Sequence, residues 1–222
     1  LFGPVKDVVT TKELIDKKTL ANLRIKCIIL KHRQKRERMT YAEELQHLAG
    51  EPKRNKFISD LLLHLNGNTL CLFQLVEKHG KILYEGLKEE ENVFFIYGKT
   101  DTKEREDIRH IVESTKNSTI IASYGVFSTG INIRNINNIV LASPSKSKIR
   151  VLQSIGRGLR TSSTKDSVVI FDLADDISYR QRRNFTLNHF MERINIYNEQ
   201  QFNYEISKVN LYKNLKLTKN PT

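Results

Sequence analysis

What most restricts the fold of this 222-residue chain is a repeated alternation of short apolar runs with stretches of helical periodicity. Leu23 to Leu30, Asn68 to Gln74, Val93 to Tyr97, Ser118 to Ser123, Asn138 to Ser143 and Val168 to Leu173 are strand-length and rich in apolar residues. Strands buried on both faces read this way, whereas a sheet with one wet face alternates polar and apolar. Between them Thr40 to Leu48, Pro52 to Leu65, about Val76 to Glu89, and Asp101 to about Thr115 read as helices. In the second of these, Phe57, Ile58, Leu61, Leu62 and Leu65 keep helical spacing, and proline occupies the first turn. Asp101 with Glu104 three residues on has the pattern of a capping box. The alternation predicts an α/β fold, a parallel β-sheet sandwiched by helices. In such sheets ligands gather where strands end and loops turn into helices.

Composition narrows the function. A hydrophobic fraction of 39% without repeats or low-complexity tracts belongs to a folded protein. No apolar run approaches the roughly 20 residues of a membrane span, and there is no signal peptide; the expected setting is cytoplasmic, with no membrane partner. Cys27 and Cys71 each lie in an apolar run and are expected to be buried thiols. The six histidines show no ligand spacing, so no metal site is expected. A net charge of +12 favours a polyanionic partner, nucleic acid above all. The densest basic stretch, Lys31 to Arg38, has two readings: a track for a DNA backbone, or a solvated loop between strand and helix.

The stretch Gln153 to Arg160 reads Q-S-I-G-R-G-L-R. Arg157 and Arg160 share one helical face, while Ile149, Leu152, Ile155 and Leu159 recur on another suited to a core. Paired guanidiniums held by a packed helix suit a multiply charged anion such as phosphate. Upstream, residues 120–133 read I-I-A-S-Y-G-V-F-S-T-G-I-N-I, with a Ser-Thr-Gly turn. No G-x-x-x-x-G-K-[ST] cradle occurs: Gly98-Lys99-Thr100 lacks the first glycine, because residue 93 is Val, and it is better explained as a turn. No D-E-x-H or D-E-x-D stretch occurs either.

Gln153 to Arg160 resembles motif VI, and residues 120–133 resemble motif V, of the superfamily 2 helicases, in matching order and spacing. The strand at 69–74 is similar to motif IV. The wording V-T-T-K-E-L-I-D at residues 9–16 and F-S-T-G-I-N-I at 127–133 is similar to recombination helicases of T-even bacteriophages. The resemblance implies a RecA-like helicase C-terminal lobe with a C-terminal helical extension. The boundaries it suggests are residues 1–22 as an inter-lobe connector, 23–175 as the RecA-like domain and 176–222 as the extension. The chain opens at Leu1, and it is expected to be a fragment whose missing N-terminal lobe carries the phosphate cradle and the acidic box.

By resemblance, Arg160 is the arginine finger, Arg157 a second γ-phosphate contact and Gln153 a γ-phosphate sensor. Gly130 and Asn132 match positions that approach the nucleotide, although many relatives carry Asp where Asn132 stands, which leaves ribose contact open. Ser128 and Thr129, and more weakly Ser123, match contacts to a DNA phosphate. The implied cofactor is ATP with Mg²⁺, bound mainly by the missing lobe. The implied partners are single-stranded and branched DNA (junctions, forks and R-loops with their RNA–DNA hybrids). A non-catalytic nucleic-acid-binding module and the motor lobe of a restriction or remodelling translocase are the alternatives. The extension carries Arg180, Arg182, Arg183 and Arg193 with Phe185, Phe190, Ile194 and Tyr197 interleaved. It is read as a helix that packs back on the domain, its arginines either packed or reaching DNA. The Lys- and Asn-rich tail after Val209 is expected to be partly disordered.

Overall fold

The computed structural model describes residues 22–33, 39–129, 133, 135–143, 167–180 and 182–213, with the backbone alone for Asn22, Ser128 and Thr129. Among the described residues seven strands form one sheet in the order β3-β4-β2-β5-β6-β1-β7, and each of their pairings is parallel. They are β1 (Asn22–Lys31), β2 (Thr69–Phe73), β3 (Val93–Ile96), β4 (Thr119–Ser123), β5 (Asn138–Leu141), β6 (Ser167–Asp176) and β7 (Tyr204–Asn210). The helices are α1 (Tyr41–Gly50), α2 (Pro52–His64), α3 (Lys81–Glu85), α4 (Thr102–Ser114), α5 (Tyr124–Thr129) and α6 (Phe185–Glu199). A short π-helical turn, Val76–Gly80, leads into α3.

The strands sort their side chains by parity onto two cores. Leu70, Leu72, Ile120, Ala122, Ile139, Leu141, Val168 and Ile170 face α4, α5 and α6. Cys71, Phe73, Ile121, Val140, Phe171 and Leu173 face α2 and α3. Both cysteines are buried free thiols, as expected, and burial pushes the Cys71 thiol up to about 12. Helix α6 buries Leu187, Phe190, Ile194 and Tyr197, each worth about 1.5–3 kcal/mol of transfer free energy.

Helix starts follow local chemistry. Asp101 caps α4 by accepting from the Glu104 amide at 2.7 Å. A complete reciprocal capping box sits at α1, where the Glu43 carboxylate takes the Thr40 amide at 2.7 Å and Thr40 Oγ1 takes the Glu43 amide at 3.4 Å. The start of α6 is capped from elsewhere in the chain. Glu44 of α1, nearly fully buried, accepts from the backbone amides of Phe185 and Thr186 at 2.9 and 2.6 Å.

Three elements depart from the sequence reading. The helix expected over about Val76 to Glu89 is divided into a π-turn and a five-residue α3, with turns following. Gly80, at the junction of the two, lets the segment pack directly on Phe73, because a Cβ there would collide with that ring. Strand β6 continues through Asp176 because the acids in its second half have buried partners, Arg193 for Asp172 and Arg54 for Asp175. Residues after Asp176 also hold more than a helix: β7 adds a parallel edge strand beside β1, and its exposed Glu205, Ser207 and Lys208 hid it from hydropathy.

Arg193 settles the packing of α6. Its Nε and one terminal nitrogen each donate to Asp172 at 2.8 Å, and the Tyr197 hydroxyl donates to the same carboxylate at 2.8 Å. Among the arginines of the extension, this one is a packing residue. Arg193→Ala strands a buried carboxylate and is expected to cost about 3–5 kcal/mol in urea unfolding, whereas Arg182→Ala on the surface is expected to cost under about 0.5 kcal/mol.

Candidate functional site

All strands are parallel, so their C-terminal ends share one edge. There Phe73 is in register with Ser123, and Leu141 with Asp172. The chain leaves this edge after Ser143 and re-enters the sheet at Ser167. Gln153, Arg157 and Arg160 belong to the intervening segment and lie outside the described residues, as do Gly130 and Asn132. Ser123 ends β4 and is buried. Ser128 and Thr129 form the last turn of α5, directly after that strand. Gly98 to Thr100 is a tight turn, closed by the Thr100 amide on Tyr97 O at 3.0 Å and by the Tyr97 amide on Thr100 Oγ1 at 3.0 Å.

A buried polar network, which the sequence reading missed, lies under this edge. Arg54 of α2 grips Asp175 bidentately, Nε to Oδ1 at 2.8 Å and a terminal nitrogen to Oδ2 at 2.9 Å. The same terminal nitrogen donates to Ala142 O at 2.6 Å. His32, just past β1, meets Asp175 Oδ1 through Nε2 at 2.8 Å. Burial alone would raise the Asp175 pKa, but the Arg54 charge and the His32 hydrogen bond win and hold it well below the usual carboxylate range. The available signal was an acid at the end of an apolar strand, which must find a partner if buried.

His79 extends the network. The other terminal nitrogen of Arg54 lies 3.3 Å from His79 Nε2, and guanidinium can only donate, so Nε2 accepts. Nδ1 therefore carries the proton and donates to Ser143 Oγ at 2.8 Å. Burial and the adjacent Arg54 charge push the His79 pKa down to about 3, which keeps the ring neutral. Ser143 Oγ also accepts from the Gln74 amide at 3.2 Å, and Ser143 O accepts from the Tyr124 hydroxyl at 3.0 Å. Ser143, the last described residue before the arginine-bearing segment, is thus pinned to the end of β2, to the π-turn and to the first residue of α5. The helix that ends in Ser128 and Thr129 is tied to the point from which Gln153 to Arg160 departs.

Among the described residues no cluster of three or more His, Cys, Asp or Glu could hold a metal ion, and no helix is long and apolar enough to cross a membrane.

Acid should loosen this network in two ways. The unfolded chain protonates histidine near pH 6.5 while folded His79 stays neutral to about 3, so the unfolded state binds more protons. Stability therefore falls as pH drops below about 6.5, with a contribution from His79 of about 1.4 kcal/mol per pH unit. Asp175, its pKa depressed on folding, contributes stability that is full above the unfolded value of about 3.9 and lost as pH falls below it. Urea midpoints between pH 7 and 5 are expected to decline in the wild type and to flatten in His79→Gln; equal slopes would remove His79 from the account.

Comparison with known proteins agrees with this geometry. Residues 53–162 match the helicase conserved C-terminal domain. The ATP-dependent DNA helicase uvsW of enterobacteria phage T4 is 35% identical over 95% of the chain, which spans 45% of that relative. The crystal structure of T4 UvsW superposes with a TM-score of 0.74 at 36% identity, covering 87% of this chain and 42% of that one. A putative HsdR subunit of a type I restriction enzyme from Vibrio vulnificus shares the fold, with a TM-score of 0.63 at 15% identity over 90% of this chain and 38% of that one. The chain thus spans less than half the length of the T4 relative. With its parallel sheet, its motif order and these matches, the chain belongs to the superfamily 2 helicases, as their RecA-like C-terminal lobe.

Proposed function

We propose that this chain is the second motor lobe of an ATP-dependent DNA helicase that unwinds or branch-migrates junctions, forks and R-loops. The observation that carries the reading is the Tyr124–Ser143 hydrogen bond at the C-terminal edge. It joins the two segments that hold the family's motifs, the α5 segment with Ser128 and Thr129 and the segment with Gln153, Arg157 and Arg160. A motor needs such a joint, because a change at the nucleotide must reach the strand being moved.

In this reading ATP with Mg²⁺ binds mainly to a first lobe, where the phosphate cradle and magnesium ligands belong. This lobe brings Arg160 to the charge that grows on the γ-phosphate, Arg157 beside it, and Gln153 as a hydrogen-bonding sensor. Gly130 and Asn132 lie against the nucleotide, and Ser128 and Thr129 face a DNA phosphate; Ser123, buried at the end of β4, supports them from beneath. The buried network below stays fixed, so motion is confined to the segments above it. The protein works on nucleic acid in the cytoplasm, the host cytoplasm where the parent is a phage protein.

The test is DNA-stimulated ATPase of the parent protein carrying both lobes, comparing wild type with Arg160→Ala. An arginine finger supplies about 10³–10⁵-fold, so a loss of about 10³-fold or more with DNA affinity retained is expected. A loss under tenfold would take Arg160 away from the γ-phosphate. The 222-residue chain alone is expected to show no turnover, and measurable hydrolysis by it would contradict the division of labour.

A further inference from the structure

We infer that the hairpin after β6 and the start of α6 form a second contact for single-stranded DNA, one that grips backbone phosphates with arginines and seats a base on Phe185. The inference rests on the reading of the chain as a DNA motor lobe, and it adds a site outside the helicase motifs.

The groove encloses about 790 Å³ and is lined by Tyr179, Arg180, Arg182, Arg183, Phe185 and Glu44, among others. Tyr179 and Arg182 exchange both backbone hydrogen bonds, at 3.2 and 3.1 Å, which closes a two-residue hairpin. Arg180 sits at its apex with φ of +53°. Such a position favours Gly, Asn or Asp, and an arginine there is strained. Arg180 holds its guanidinium 5.1 Å from the Tyr179 ring centroid, which orients the charge.

Among the described residues, Arg180, Arg182 and Arg183 have no acidic partner. All are exposed, and the arginine ion pairs among the described residues involve Arg54, Arg109 and Arg193 instead. The acid in the groove is already used: Glu44 accepts from Asn184 Nδ2 and from two amides of α6. The helix terminus is thereby filled from within, so an anion arriving here must rely on the guanidiniums. Beside them Phe185 is 41% exposed, unusual for a large aromatic ring, and Tyr41 braces it edge-on at 6.2 Å between centroids. A braced wet ring beside exposed arginines fits an unpaired base on a phosphate chain. Duplex DNA hides its base faces and would leave the ring unused.

Location supports the same occupant. The groove follows the C-terminal end of β6, at the same edge where β4 ends and α5, the helix of Ser128 and Thr129, begins. From β4 to β6 is three strand spacings, about 15 Å. One strand of DNA can therefore run from the end of β4 to this groove along a single edge.

The experiment measures fluorescence anisotropy of a labelled oligo-dT with the 222-residue chain across a salt series. The variants are the triple Arg180→Gly, Arg182→Ala, Arg183→Ala and the single Phe185→Ala, each checked by circular dichroism; glycine suits the left-handed backbone at 180. The triple variant is expected to bind at least about tenfold more weakly, with a log–log salt slope shallower by about 2, since each lost phosphate contact removes about 0.7. Phe185→Ala is expected to weaken binding about fivefold or more while keeping the slope. A triple variant within twofold of a wild type that does bind would overturn the groove and leave the motor reading standing. A wild type that binds duplex but not oligo-dT would overturn the single-strand occupant. A wild type silent toward all DNA would sink the groove and the DNA half of the motor reading together.

Discussion

The structure depends on what the last long strand does with two buried acids. Asp172 and Asp175 are three residues apart on β6, and a strand sends such a pair to opposite faces. Each acid takes an arginine from a helix on its own side, Arg193 of α6 for Asp172 and Arg54 of α2 for Asp175. One strand thereby fastens the helical layers on both faces. Neither acid could be buried alone, and neither arginine could lose its partner without leaving a charge in the core. The apolar cores supply most of the driving force, while the two clamps specify which helix lies on which face.

The second clamp also ties the strand ends at this edge to one another. Arg54 reaches past Asp175 to the Ala142 carbonyl and to His79, and His79 continues to Ser143. Ser143 in turn accepts the Tyr124 hydroxyl. The ends of four strands (β1, β2, β5 and β6), a π-turn and the first residue of α5 are thus joined by side chains rather than by the ladder alone. A neutral His79 suits this role, since it can accept from arginine on one side and donate to serine on the other. The segments proposed to meet nucleotide and DNA both leave from this base, at Tyr124 and at Ser143.

Much of the fold was legible from hydropathy, because strands buried on both faces announce themselves as apolar runs between amphipathic helices. The π-turn and short helix after Val76 were not, and neither was the close packing of Gly80 on Phe73, a contact between elements. Strand β7 was missed because an edge strand needs few apolar residues. Of the candidate site, the motif wording was legible but the network beneath it was not. His32, Arg54, His79, Ser143 and Asp175 are scattered from residue 32 to residue 175, and only the parallel topology brings them together. Arg193 shows the same limit: its side chain looks no different in sequence from Arg182 or Arg183, yet it alone of the three faces Asp172.

The most direct measurement is a crystal structure of the two-lobed parent with single-stranded DNA and a transition-state analogue of ATP. The account predicts the Arg160 and Arg157 guanidiniums at the γ-phosphate position and Ser128 and Thr129 on a DNA phosphate, with the network from His32 to Ser143 unchanged from that described above. A closed complex in which residues 153–160 stay away from the nucleotide would contradict the assignment of this lobe as the source of the arginine finger.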